Sequence, residues 1–265
     1  MISSDAIRTA LQDRSILTSV EHYASIGSTN DRARELAAQG TPEIALISAE
    51  EQTSGRGRQG RSWYTPPGTA LAFSLLTRPA IAARHAMRLT MLAGLAAVEG
   101  IEYATGLRLD LKWPNDVFFH TADRWWKVGG ILTECAFQGD DIAYAVTGIG
   151  LNVNVDFSQQ VELREIATSL MNLKGQPIDR LAVLCAVVSN FIDRYDWLMT
   201  DDQLRNAWAA RLIHLQQHIR VNLNDQIVVG YAEGVDDDGA LLLRTANKQI
   251  RRLLSGDVTL HDLNR

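Results

Sequence analysis

The chain switches repeatedly between helical and strand periodicity, and the breaks fall on recognisable stop signals. Residues 4–13 carry apolar positions at helical spacing behind Ser3 and Ser4, both good capping types. Residues 16–26 read as a strand that stops at Gly27, Ser28, Thr29 and Asn30. These polar residues then open a helix over 31–38, with Gly40 where a C′ glycine belongs. An apolar strand at 44–47 leads to Glu50, Glu51 and Gln52, and residues 53–68 follow with neither period, four glycines and two prolines. A loop that long inside a compact domain usually has work to do.

Beyond the loop the pattern predicts a strand at 70–76 and a long apolar helix at 81–103. Strands follow at 108–113, 115–120, 126–136 and 142–153, mostly sequence neighbours and so expected to be mostly antiparallel. Helices are predicted at 164–171, 178–199 and 201–212. From residue 219 the runs become short and alternating, with turn signals at Asn224 and Asp225 and at residues 236–239. Such a tail fits a small β-barrel. The fold class expected is therefore α+β, divided into residues 1–213 and an appended all-β domain, 214–265.

Composition narrows the partners. With 46% hydrophobic and 22% charged residues the chain is an ordinary soluble type, and its net charge of −5 argues against general nucleic-acid binding. Any basic site must be local. Cys135 and Cys185 each sit in an apolar run, which suggests buried thiols in a reducing compartment rather than a disulfide or a metal pair. The polar N-terminus, with Asp5 and Asp13, is not a signal peptide, and no apolar run is long enough to span a membrane. A cytoplasmic location is the resulting expectation.

Four segments carry candidate chemistry. Gly55, Gly57 and Gly60 match the dinucleotide glycine pattern, but Pro66 and Pro67 follow instead of a helix, so that reading fails. The loop instead offers Arg56, Arg58 and Arg61 spaced by glycines, a set of forks suited to carboxylate or phosphate oxygens. Mutual repulsion predicts that it orders only around an anion. An exposed basic loop and an Arg-Gly RNA-binding segment stay open at this point. Lys112, Trp113, Pro114, Asn115 and Asp116 form either a good turn or an oxygen site for Mg²⁺. Lys127 precedes Gly129 and Gly130, glycines that would let a strand lie close to a ligand, and only Lys112, Lys127, Lys174 and Lys248 occur in the whole chain. A fourth segment, from Thr147 through Gly148 and Gly150 to Asn152 and Asn154, reads as a bulged strand. His214 and His218 stand four apart, and without a third ligand they carry little weight as a metal pair.

In order and spacing, GSTN at 27–30, GRGRQGRSW at 55–63, KWPND at 112–116, KVGGILTE at 127–134 and GIGLNVN at 148–154 resemble the biotin–protein ligases, also called holocarboxylase synthetases. The resemblance runs from about residue 20 to the C-terminus. It implies a mixed or antiparallel sheet flanked by helices, of class II synthetase-like type, with an SH3-like barrel at the end. It also implies an enzyme that joins biotin to ATP as biotinyl-5′-AMP and passes the acyl group to a lysine of a biotin carboxyl carrier protein. Carried over by motif, Ser28, Thr29, Asn30, Gln52, Arg56, Gly57, Arg58, Lys127, Gly129 and Gly130 would bind biotin. Arg58, Arg61, Trp63, Lys112, Asn115 and Asn152 would bind ATP, and Trp113 would share a wall of the site with Trp63. Lys127, Arg58 and Lys112 would be catalytic, and Asp116 would hold Mg²⁺.

Some bacterial members add an N-terminal DNA-binding domain, and fewer than thirty residues precede Gly27, so no sequence-specific DNA binding is expected. Monomer and homodimer stay open. A lipoate or octanoate ligase is the alternative of similar fold, although its members generally lack the arginine loop and KWPND. A non-enzymatic binding module is the second.

Overall fold

The computed structural model describes residues 2–121, 124–199, 202–223 and 226–259, so the turn expected at Asn224 and Asp225 lies outside the described residues. Helix α1 (Ser4–Ala10) is capped by the Ser3 hydroxyl, which accepts from the Ala6 amide. Strand β1 (Ser19–Tyr23), helix α2 (Thr29–Ala38) and strand β2 (Ala45–Ala49) form a crossover unit, with β1 and β2 parallel. Every other pairing of the large sheet is antiparallel: β3 (Leu71–Thr77), β4 (Asp110–Lys112), β5 (Asp116–His120), β6 (Trp125–Gln138) and β7 (Asp141–Leu151) complete the order β1-β2-β3-β7-β6-β5-β4. The sheet is thus mixed but mostly antiparallel, in line with the sequence-neighbour strands and with the fold that the resemblance implied.

One face of the sheet is covered by α3 (Met87–Thr105), an almost wholly buried helix, and by α5 (Arg180–Asp193) behind it. Gly100 permits their approach, since a Cβ there would stand 2.7 Å from the Val187 backbone. The other face carries α2, packed through Ala33, Leu36 and Ala37 on Ala45, Ile47, Leu76 and Val146.

Most of the expected helices are shortened, the first to Ser4–Ala10 and the last at Ala209. Residues 81–86 are a turn and a single 3-10 turn before α3. Residues 164–167 are irregular, because their backbone is engaged by β6: the Lys127 amide donates to Ile166 O at 2.8 Å and Thr168 N to Lys127 O at 3.0 Å. The helix there, α4 (Leu170–Lys174), starts only after the Ser169 cap. Asp179 caps α5, which ends at Asp193 and passes into a 3-10 turn; α6 (Asp202–Ala209) follows.

Strands β8 (His218–Leu223), β9 (Gln226–Val235), β10 (Leu241–Arg244), β11 (Ile250–Leu253) and β12 (Asp257–Thr259) form a second, antiparallel sheet in the order β11-β10-β9-β8-β12. Its β9–β10 turn is the one read from residues 236–239, with the Asp236 carboxylate accepting from the amides of Asp238 and Ala240 and Gly239 at φ 75°. That turn docks on α3: Gly239 lies against Met91, and Gly239 O accepts from Trp113 Nε1 at 2.9 Å. The two sheets therefore share one apolar core.

Candidate active site

Two hollows meet above the glycine-bearing stretches of β6 and β7. The first is a tight cavity of about 60 Å³ between the start of α2, the arginine loop and these strands. Ser28 occupies the N-cap of α2 in extended conformation, and Ser28, Thr29 and Asn30 are almost fully buried. The Gln52 side-chain carbonyl accepts from Thr29 N at 2.8 Å and from Thr29 Oγ1 at 3.0 Å. Ser74 Oγ lies 2.7 Å from Thr29 Oγ1 and 2.6 Å from Asn30 Oδ1, and Asn30 Nδ2 donates to Glu134 at 2.7 Å. Buried polar groups held this way are preorganised, because rearranging any one strands another. Gly148 makes room for them, since a Cβ there would fall inside the Asn30 carboxamide.

The second hollow is a cleft of about 2180 Å³ between the large sheet and the barrel. Arg58, Arg61, Lys112 and Lys127 line it with Asp116 and Asp257, as do the apolar side chains of Phe157, Val161, Leu163 and Ile166. Lys112 is held 5.1 Å from the centre of the Phe118 ring, and burial lowers its pKa against the opposing pull of Asp116. A cationic patch of this kind focuses anions even on a chain of net negative charge.

Gln52, Gly57, Arg58, Trp63, Asn115 and Lys127 line both hollows. At this junction Lys127 Nζ donates to Asp116 at 2.6 Å and stands 5.8 Å from the Trp63 ring. Arg58 donates to Asn115 Oδ1 at 2.9 Å, and Asn115 is itself anchored by its Nδ2 bond to Ile131 O. Trp63 lies across Gly150, where a Cβ would meet the indole at 2.5 Å, and its Nε1 is buried without an acceptor. A pocket for a small organic ligand usually measures several hundred Å³. The cavity is smaller than that, and the Trp63 indole lies across it at Gly150.

Residues 23–152 match the model of the biotin/lipoate A/B protein ligase family, and residues 214–260 that of the biotin protein ligase C-terminal domain. The bifunctional ligase/repressor BirA of Bacillus subtilis is 36% identical over 98% of this chain and 79% of its own length. The biotin–[acetyl-CoA-carboxylase] ligase of Paracoccus denitrificans is 34% identical over 86% of this chain and 95% of its own. Among solved structures, the biotin protein ligase of Aquifex aeolicus in complex with biotin and ATP superposes with a TM-score of 0.75, at 26% identity over 92% of this chain and 98% of that one. This chain belongs to the biotin–protein ligase family.

Most residues assigned by motif lie at the ligase's two hollows. Ser28, Thr29, Asn30, Arg56 and Gly130 line the cavity alone, Arg61, Lys112, Asp116 and Asn152 the cleft alone, and the remainder the junction. Three expectations change, and the histidine pair stays without weight. Trp113 is not a wall of the site: it is 1% exposed and bound to the barrel turn. Gly129 does not face the cavity either, since a Cβ there would collide with Leu151 and Gly150 O, so strand packing requires it. The arginine loop is not left to its own repulsion, because each arginine meets a different partner: Asp31 for Arg56, Asn115 for Arg58 and Asp257 for Arg61. His214 and His218 are not on a helix; His214 is fully buried with neither ring nitrogen bonded, while His218 packs edge-on to Tyr231.

The amide of Asn152 is taken by Thr168 O at 3.1 Å, so this residue ties β7 to the segment before α4 while bordering the cleft. Ser74, Glu134, Asp31 and Asp257 were missed as site residues. Glu134 closes a quoted motif and Asp31 follows another, so both had a signal. Ser74 sits in an apolar strand and Asp257 in the barrel, and only the fold brings them near.

Proposed function

We infer that this ligase joins the biotin carboxylate to the α-phosphate of ATP, releasing diphosphate, and then transfers the biotinyl group to a lysine amine of a biotin carboxyl carrier protein. The observation that carries this is the junction: a small cavity with prebonded neutral polar groups opens at Lys127 and Arg58 into a large cleft lined by further cations. A fused-ring head with amide-like donors and acceptors suits Ser28, Thr29, Asn30 and Gln52. The nucleotide suits the cleft, where Trp63 and the apolar side chains of residues 157–166 offer surface to a base.

A carboxylate and a phosphate repel each other, and their negative charges must converge for the anhydride bond to form. Fixed cations at that point lower the barrier without reorganising, which is often the largest catalytic contribution. Lys127 is fixed by Asp116 and Arg58 by Asn115. As the P–O bond to diphosphate breaks, Lys112 and Arg61 on the cleft side face the departing charge. In the second step the acceptor amine attacks the acyl carbon and AMP leaves; Asp116, or Lys112 in its neutral form, is the candidate acceptor of the amine proton.

Magnesium would neutralise triphosphate charge. Among the described residues no three His, Cys, Asp or Glu side chains form a metal cage. Asp116 is the junction carboxylate, which fits an ion held by one protein ligand, phosphate oxygens and water. No helix among the described residues is long and apolar enough to cross a membrane.

ATP–pyrophosphate exchange tests this reading. Exchange dependent on biotin is expected; exchange with lipoate but not biotin would overturn it.

A further inference from the structure

The three loop arginines are not equivalent. Arg56 forms a two-pronged bond with Asp31, Nη1 to Oδ2 at 2.8 Å and Nη2 to Oδ1 at 2.5 Å, with both side chains 38% exposed. Among the described residues Arg58 has only a neutral amide as partner, and the Arg61–Asp257 pair involves an arginine 67% exposed. A ligand anion can readily recruit the last two. To recruit Arg56 it would have to displace a carboxylate already seated in the fork.

We propose that Asp31 is a positioning residue for biotin activation, strapping the arginine loop to the first turn of α2 through Arg56, whose guanidinium serves this strap and not the ligand. The topology gives the strap its effect. Asp31 directly follows Asn30, and Arg56 directly precedes Gly57, so one bond ties both walls of the cavity together. Within the loop, Gly57 N donates to Arg61 O at 2.6 Å and Trp63 N to Gly55 O at 2.9 Å, so fixing Arg56 also fixes the hairpin that carries Arg58 and Trp63. Arg56, with a lesser share from Arg34, holds the Asp31 carboxyl down to about 2, so the strap is charged throughout any assay range. Arg34 also pairs with Asp31 from within α2, sharing Oδ1 with Arg56, while Oδ2 is bonded by Arg56.

The proposal rests on the biotin-activating reading, and wild-type exchange separates the two. If the parent shows no biotin-dependent exchange, that reading fails before any variant is made. With an active parent, Asp31→Asn, Arg56→Gln and the double variant are compared by exchange at varied biotin and by release of preformed biotinyl-AMP in a chase. Each single variant is expected to raise the KM for biotin and the release rate about fivefold, the size of a half-exposed ion pair, with kcat within about twofold. The double variant should be no worse than either single one. A parental KM in both single variants overturns the proposal. So do defects that multiply in the double variant, because Arg56 would then act on the ligand independently. Should Asp31→Asn fail to fold, Arg56→Gln alone decides, and parental behaviour there overturns the strap.

Discussion

The cavity and the cleft are built on opposite plans. In the cavity, Thr29, Asn30, Gln52, Ser74 and Glu134 are bonded to one another, and glycine fixes how closely the strands approach. In the cleft, cations line an open space, with a neutral amide as partner for Arg58 and carboxylates for Arg61 and Lys127. A rigid neutral ligand gains from a site that needs no rearrangement. A polyanion followed by a protein acceptor needs room and charges that can change partners. With both at one boundary, the proposed function has Lys127 serve both substrates.

Substitutions can break this contrast in order of expected size. Lys127→Ala should slow adenylate formation about 10²- to 10³-fold in single-turnover measurements, the scale of one preorganised electrostatic contact, while calorimetric biotin affinity changes much less. An unchanged rate would remove Lys127 from the chemistry. Gly148→Val, pressed into Asn30, should weaken biotin about a hundredfold and leave the KM for ATP within about twofold, a split showing that the two hollows bind separately. Equal losses for both ligands would mean a general fold defect. Arg58→Ala should leave biotin binding largely intact and speed loss of preformed biotinyl-AMP about tenfold, as a charge-assisted contact is worth.

Two smaller effects concern the supports. Trp113→Phe removes the bond to Gly239 O and should lower Tm by several degrees, consistent with a buried hydrogen bond worth about 1–3 kcal/mol, with both KM values unchanged. A shifted KM for ATP would restore Trp113 to the site. His214 is buried with its pKa lowered to about 3 from 6.5, so below pH 6.5 the unfolded chain takes a proton that the folded one refuses. Stability should therefore fall as pH drops from about 6.5 towards about 3, and His214→Leu should flatten that slope in urea titrations. An identical slope in the variant would acquit the histidine.

Much of this was legible in the chain. Helix α2 was marked by its cap residues and C′ glycine, and the antiparallel β5–β6–β7 meander by neighbouring apolar runs. The motif residues converged because GSTN opens α2, the arginine loop follows β2, and KVGG lies within β6 beside Gly150 of β7. Trp113 was misplaced for a physical reason: it stands in the turn between β4 and β5, and no local pattern says that the barrel turn covers it. Gly129 misled similarly, since a glycine needed for packing looks the same in sequence as one needed for a ligand. Ser74 and Asp257 depend on long-range pairing, which no local pattern reports. The partners of the three arginines were likewise invisible, although they decide whether that loop is repelled or strapped.

The most direct measurement is the intact mass of a biotin carboxyl carrier domain after incubation with the ligase, biotin and MgATP. One biotinyl group on a single lysine, absent when either biotin or ATP is withheld and strongly reduced with Lys127→Ala, is the expected result. A carrier of unchanged mass with the active, folded wild-type protein would contradict a junction that hands biotin from nucleotide to amine.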